Sequence, residues 1–328
     1  MNGAQSIWIK DPLAIFADGA ERGIVVRQGR IVELVPAGVA ATTADVVFDA
    51  SGHVVLPGLI NTHHHFYQTL TRALPAAMDR ELFPWLQALY PVWARLTPEA
   101  LDLAVTVAMA ELLLSGCTTT TDHHYVFPPG LEDAVDIEVA AARRLGLRVL
   151  LTRGSMNLSQ RDGGLPPDSV VQDEDAILAD SERVVARHHQ RGEDALVQVA
   201  LAPCSPFSVT SSLMRSTAAL AERLDVRLHT HLAETEDENL FCEEKYGCRP
   251  LDYLEQCGWL GSAPGSRTGS SSIRVKCSGS RRPRRASAIV PAPTRSWPRA
   301  VVRCAKWKRL ALASASGSTA RHRTTNPT

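Results

Sequence analysis

The sequence predicts an α/β architecture: an incomplete (β/α)8 TIM-like barrel, preceded by a small β-sandwich element and followed by a disordered tail. Three observations carry this. Residues 7–57 break into short β-rich runs, and residues 58–261 alternate apolar runs with longer helical stretches. Residues 262–328 hold fifteen of the 35 Lys and Arg but none of the 35 Asp and Glu. The expected divisions are therefore 1–57, 58–261 and 262–328.

In the N-terminal part, runs at 7–9, 23–27, 30–35, 46–49 and 53–55 are rich in β-branched residues, with turn residues such as Gln28-Gly29 between them. From residue 56 the pattern changes. Apolar runs at 56–61, 118–122, 148–152, 197–202 and 227–230 each end in polar or ionisable residues, and helix candidates lie between them at 98–115, 131–145, 174–190 and 211–224. Chemistry gathered at strand ends is the barrel pattern. Five strands fall short of eight, so the first and fifth are expected to keep unpaired edges prone to aggregation.

Over the whole chain, 45% of 328 residues are hydrophobic, enough for one large core or two modest ones. No basic segment followed by an apolar stretch opens the sequence, and nothing approaches the roughly 18 uninterrupted apolar residues of a membrane span. The expectation is a cytoplasmic protein with no membrane partner, compatible with a homo-oligomer. The seven cysteines form no CxxC pair and no regular framework, which argues against a disulfide scaffold and against a cysteine zinc site.

Two constellations carry chemistry. His63, His64 and His65 follow the apolar run that ends at Asn61 and Thr62. Alternate residues of an extended chain share a face, so His63 and His65 can point at one ion while His64 points elsewhere. The second is His229-Thr230-His231-Leu232-Ala233-Glu234, at the end of another apolar run. His231 can complete a three-histidine site, with Glu234 near enough to act on substrate without being a ligand. An ion to activate water and a carboxylate to move protons is what hydrolytic deamination requires. Taken alone, the second motif reads equally well as a helix start whose Glu234 and Glu236 favour the positive N-terminal end.

Together with Asn61 to Arg72, Asp122-His123-His124-Tyr125 and Ala202-Pro203-Cys204-Ser205-Pro206-Phe207, these motifs resemble the amidohydrolase superfamily. Within it, the resemblance is to bacterial 8-oxoguanine deaminases and hydroxy-triazine aminohydrolases, and it runs from about residue 7 to 261. It implies His63, His65 and His231 as ligands of one divalent ion, zinc, and Glu234 as the proton shuttle. It also offers Gln68 and Cys204 as contacts to a purine-like base. Each has a plain alternative: a hydrogen-bonded polar residue for Gln68, a small buried hydrophobe for Cys204. The motifs do not separate a guanine-like substrate from a hydroxy-triazine.

The family also uses a histidine after the sixth strand and a metal-binding aspartate after the eighth, and neither stands in this sequence. Both reappear when the tail is read in another frame. If residues 264–269 are encoded CCT GGC TCG CGC ACG GGN, regrouping the bases from the third position reads Trp-Leu-Ala-His-Gly, similar to the sixth-strand motif. The same regrouping permits His-Cys-Pro-Ser-Ser-Asn over 288–294 and Asp-Gly-Ser-Ala-Ser-Asn-Asp over 318–325, both similar to later family motifs and in the right order. The tail therefore reads as a frameshift product. This accounts for Arg281-Arg282-Pro283-Arg284-Arg285 and Trp307 without a nucleic-acid partner, which counterion release would otherwise suggest. A chain ending this way is expected to be inactive or poorly folded.

Overall fold

The structure, a computed structural model, describes residues 5–41 and 44–260, together with the backbone of 273–276, 287–288 and 302–303. It divides into two compact units, the first ending at Leu59 and the second beginning at Ile60.

The first unit is built on a four-stranded mixed sheet. Strands β1 (Ser6–Lys10), β3 (Gly23–Arg27), β4 (Arg30–Leu34) and β5 (Val46–Asp49) run in the order β4-β3-β1-β5, antiparallel except for the β1–β5 pair. The two-residue strands β2 (Ala14–Ile15) and β6 (Val54–Val55) form a separate parallel pair. A small core of Trp8, Val25 and Val35 is buried under the larger sheet. The β3–β4 hairpin turns at Gln28-Gly29, both at positive φ, a conformation that glycine adopts without steric cost.

The second unit is a parallel half-barrel. Its sheet has the order β12-β11-β10-β9-β8-β7, made by β7 (Leu59–Asn61), β8 (Cys117–His124), β9 (Arg148–Ser155), β10 (Val197–Pro203), β11 (Arg227–His231) and β12 (Ile273–Lys276). The connecting helices are α1 (Leu82–Trp93), α2 (Pro98–Leu114), α3 (Ala134–Leu145), α4 (Glu174–His188) and α5 (Ser211–Leu224), followed by α6 (Glu236–Tyr246) and α7 (Pro250–Gln256). Start signals are explicit: Thr97 and Thr210 accept hydrogen bonds from the first-turn amides of α2 and α5, as N-cap hydroxyls do. The helices bury stripes of Leu, Val and Ala against strands whose alternate residues, such as Val197, Val199 and Leu201, are fully buried. No described helix is long and apolar enough to cross a membrane.

One expectation is corrected. The edge of the fifth strand, β11, is not open: Ile273–Lys276, from within the basic tail, pairs with it in parallel, Leu228 opposite Ile273 and His231 opposite Lys276. Edge pairing uses main-chain groups and so accepts any extended segment, whatever its origin. Apart from its short strands, the tail expected to be disordered lies outside the described residues, as do its Arg281 to Arg285 cluster and Trp307.

Gly154 shows how closely the site-bearing strands approach. A Cβ there would stand 2.0 Å from the main-chain oxygen of His124 on the neighbouring strand. Gly154→Ala should therefore pry β8 from β9 and cost roughly 1–3 kcal/mol or somewhat more, as overpacking does. The urea midpoint should fall accordingly; an unchanged midpoint would show that the strands relax freely.

Candidate metal centre

The C-terminal ends of β7, β8, β10 and β11 deliver histidines to one place. The chain stays extended after β7 as far as His65 (φ −132°, ψ 90°), so His63 and His65 share a face. His64 takes the other side, its ring 5.0 Å from Phe66, while its carbonyl accepts from the amide of His123. Burial, and then the charge of Arg72, push the His64 imidazole down to about 4.

The Nε2 atoms of His63, His65 and His231 converge. The separations are 3.1 Å for His63–His65, 3.3 Å for His231–His63 and 3.2 Å for His231–His65. Their tautomers follow from what lies behind them. Nδ1 of His65 donates to the carbonyl of His123 at 2.7 Å, and Nδ1 of His231 donates to that of Cys204 at 3.0 Å. A carbonyl only accepts, so each Nδ1 carries the hydrogen and each Nε2 turns a lone pair toward the others. A main-chain carbonyl behind each ring is the usual support of a metal-binding histidine. Two lone pairs directed at a third imidazole nitrogen suit a cation, and three convergent imidazoles are a donor set that could hold a metal ion.

Two further histidines stand beside the three. His63 Nδ1 lies 3.3 Å from His229 Nε2, and His123 stacks on His231 with ring centroids 4.3 Å apart. His63, His123 and His229 thus make a second, overlapping group with donor distances that could hold an ion. His123 is wholly buried, and burial followed by the surrounding histidines holds it neutral, well below the ordinary imidazole range. The sequence reading gave His123 no role. Alternation along β8, which puts His123 on the face opposite Asp122 and His124, was the available signal.

Glu234 sits in the turn after β11. The turn is gripped by Glu238 from the first turn of α6, whose two carboxylate oxygens each accept a main-chain amide, Ala233 and Glu234, both at 2.8 Å. This holds Ala233 at positive φ (54°). Burial pushes Glu238 up to about 7 against the pull of those two amides. The helix-start reading of this stretch is also met, because α6 begins at Glu236 after an N-cap at Thr235. The Glu234 carboxylate is close enough to Tyr125 and Cys204 to add to the rise that burial causes in both.

Gln68 donates to the hydroxyls of Tyr67 (3.3 Å) and Tyr125 (3.4 Å), and the Tyr125 ring lies 5.4 Å from that of His65. Gln68 thus reaches the histidines through Tyr125. Cys204 is buried, with Sγ 3.8 Å from His231 Nδ1, and burial pushes its thiol up to about 12. Cys204 should therefore resist iodoacetamide at pH 8 in the folded protein and react after denaturation, since only the thiolate is nucleophilic. Peptide mapping that finds it alkylated under native conditions would place the thiol at an open surface.

Residues 54–268 match the model of the amidohydrolase family. The chain is 63% identical over 258 residues to an 8-oxoguanine deaminase of Pseudomonas aeruginosa, covering 77% of this chain and 58% of that protein. It is 37% identical over 250 residues to the hydroxydechloroatrazine ethylaminohydrolase of Pseudomonas sp. strain ADP, covering 73% and 51%. Among solved structures, the zinc complex of atrazine chlorohydrolase from Arthrobacter aurescens TC1 superposes with a TM-score of 0.70 at 28% identity, covering 77% of this chain and 58% of that one. The chain therefore spans just over half the length of the curated relatives it matches.

Proposed function

The chain belongs to the amidohydrolase family, and from that premise we propose that it is the metal-binding part of a hydrolytic deaminase that converts 8-oxoguanine to urate and ammonia. The observation that carries the chemistry is the convergence of three Nε2 atoms next to the turn that presents Glu234. His63, His65 and His231 would hold one divalent ion, zinc by analogy with the related zinc complex. An ion so held would supply Lewis-acid activation of water, lowering its pKa toward about 7.

The protein's own groups do the rest. Glu234 accepts a proton from the attacking water as the new C–O bond forms at the amino-bearing ring carbon and the C=N electron pair moves onto the adjacent ring nitrogen, to return when the amino group leaves. Glu234 then delivers a proton to the departing nitrogen as the C–N bond breaks, so that ammonia leaves and the carboxylate is regenerated. Glu238 keeps that carboxylate in place through the main chain, and the carbonyls of His123 and Cys204 keep two imidazoles aimed. Gln68, Tyr125 and Cys204 are proposed to face the base.

We further propose that residues after 261 are translated out of frame, so that the sixth-strand histidine and the eighth-strand aspartate of the family are missing from this chain. The three regrouped motifs support this. Among the described residues, the groups at this centre that could hold an ion are made of imidazoles alone, without the carboxylate that would balance its charge.

A hydroxy-triazine is the second reading, favoured by the likeness to triazine-hydrolysing relatives and weighed against by the lower identity, 37% against 63%. Ammonia release from 8-oxoguanine, guanine and hydroxydechloroatrazine, compared side by side in protein with the frame restored, separates them. Preference for 8-oxoguanine is expected; preference for the triazine would reverse the assignment and leave the mechanism standing.

A further inference from the structure

A second cluster of ionisable side chains lies on the other face of β8. Asp122 and His124 alternate with His123 and so point away from the histidine cluster, toward α3, where Glu138 stands in an otherwise apolar buried stripe of Ala134, Val135, Val139, Ala141 and Ala142. All three are completely buried.

Their hydrogen bonding leaves a gap. Nε2 of His124 lies 2.8 Å from the carbonyl of Val126 and must donate to it, so Nδ1 presents a lone pair. That lone pair faces Oε1 of Glu138 at 3.1 Å. Oδ1 of Asp122 accepts the amide of Phe66 at 2.6 Å, but its Oδ2, both oxygens of Glu138 and Nδ1 of His124 face only one another and receive no donor from outside the cluster. Lone pairs aimed at one another in a dry interior repel, and two buried carboxylates are costly unless something positive joins them. The nearby guanidinium of Arg153 is already committed to Asp180 at 2.6 Å and does not reach them as a partner. One ligand atom from each of the three side chains lies within 4.8 Å of the others.

We propose that Asp122, His124 and Glu138 form a second divalent-cation site, separate from the three-histidine centre and independent of what that centre does. One imidazole nitrogen and two carboxylates suit a divalent transition ion such as zinc or manganese. The site would be structural. The ion would tie β8 to α3 and, through Asp122, fix the main chain at Phe66, one residue beyond His65.

The test is zinc content of the full chain produced with excess zinc and freed of loose metal. Two ions per chain are expected. A His63→Ala/His65→Ala double variant should keep one, because it leaves the second cluster untouched. Glu138→Gln, and separately Asp122→Asn, which keeps the acceptor for Phe66, should each lose one ion while retaining the native circular dichroism. A double variant that holds no zinc, or a folded Glu138→Gln protein with the full zinc content, would overturn the site and leave bridging protons as the occupant. A chain with a single ion that survives the double variant but not Glu138→Gln would uphold this site and refute the three-histidine one.

Discussion

In protein with the frame restored, replacing His63 by alanine should remove one equivalent of zinc and all deaminase activity together. His63 is the shared member of both histidine groups: Nε2 faces His65 and His231, and Nδ1 faces His229. Its loss therefore breaks either possible ligand set. His123→Ala would break only the second group and leave the first three nitrogens in place. Loss of a residue that merely supports a ligand already weakens metal binding about 10- to 100-fold. Loss of a ligand itself should exceed that, and equilibrium dialysis against zinc measures it. If His123→Ala lost the ion and His63→Ala kept it, the ligand assignment would be wrong.

The second large effect is expected at Glu234. Glu234→Gln is nearly isosteric, and the grip of Glu238 is on main-chain amides, so the turn should hold and the ion should stay bound. What disappears is a group able to take and return a proton, a contribution typically worth about 100- to 10,000-fold in rate. In frame-restored protein, kcat should fall by that factor while zinc content is unchanged. A fully active Glu234→Gln protein would end the proton-shuttle role.

Much of this centre could be read without coordinates, because alternation in an extended chain is a local rule. Placing His63 and His65 on one side and His64 on the other needs only the period of two. His231 followed from standing at the end of an apolar run in the same way. The same rule over Asp122, His123 and His124 would have separated the two clusters. An ionisable Glu138 inside the apolar stripe of α3 was a further signal, since a buried carboxyl group requires a partner.

Other features were hidden for physical reasons. Helix α1 carries Pro84 and Pro91, which read as breakers, and α6 is too acidic to show a clear apolar stripe. Sequence shows three acids in the first turn of α6, but only the fold shows that Glu238 is the one turned inward onto the β11 turn. The pairing of Ile273–Lys276 with β11 is made by main-chain groups, so no side-chain pattern announces it.

The proposed function is metal-dependent deamination of a guanine-like base by these histidines and Glu234. Its most direct test is ammonia release from 8-oxoguanine by the protein with residues after 261 restored to the shifted frame, measured with zinc bound and again after chelation. Stoichiometric urate and ammonia are expected with zinc, none after chelation, and recovery when zinc is returned. Release that persists at full rate without metal, or a zinc-loaded protein that frees no ammonia from any guanine-like base, would contradict it.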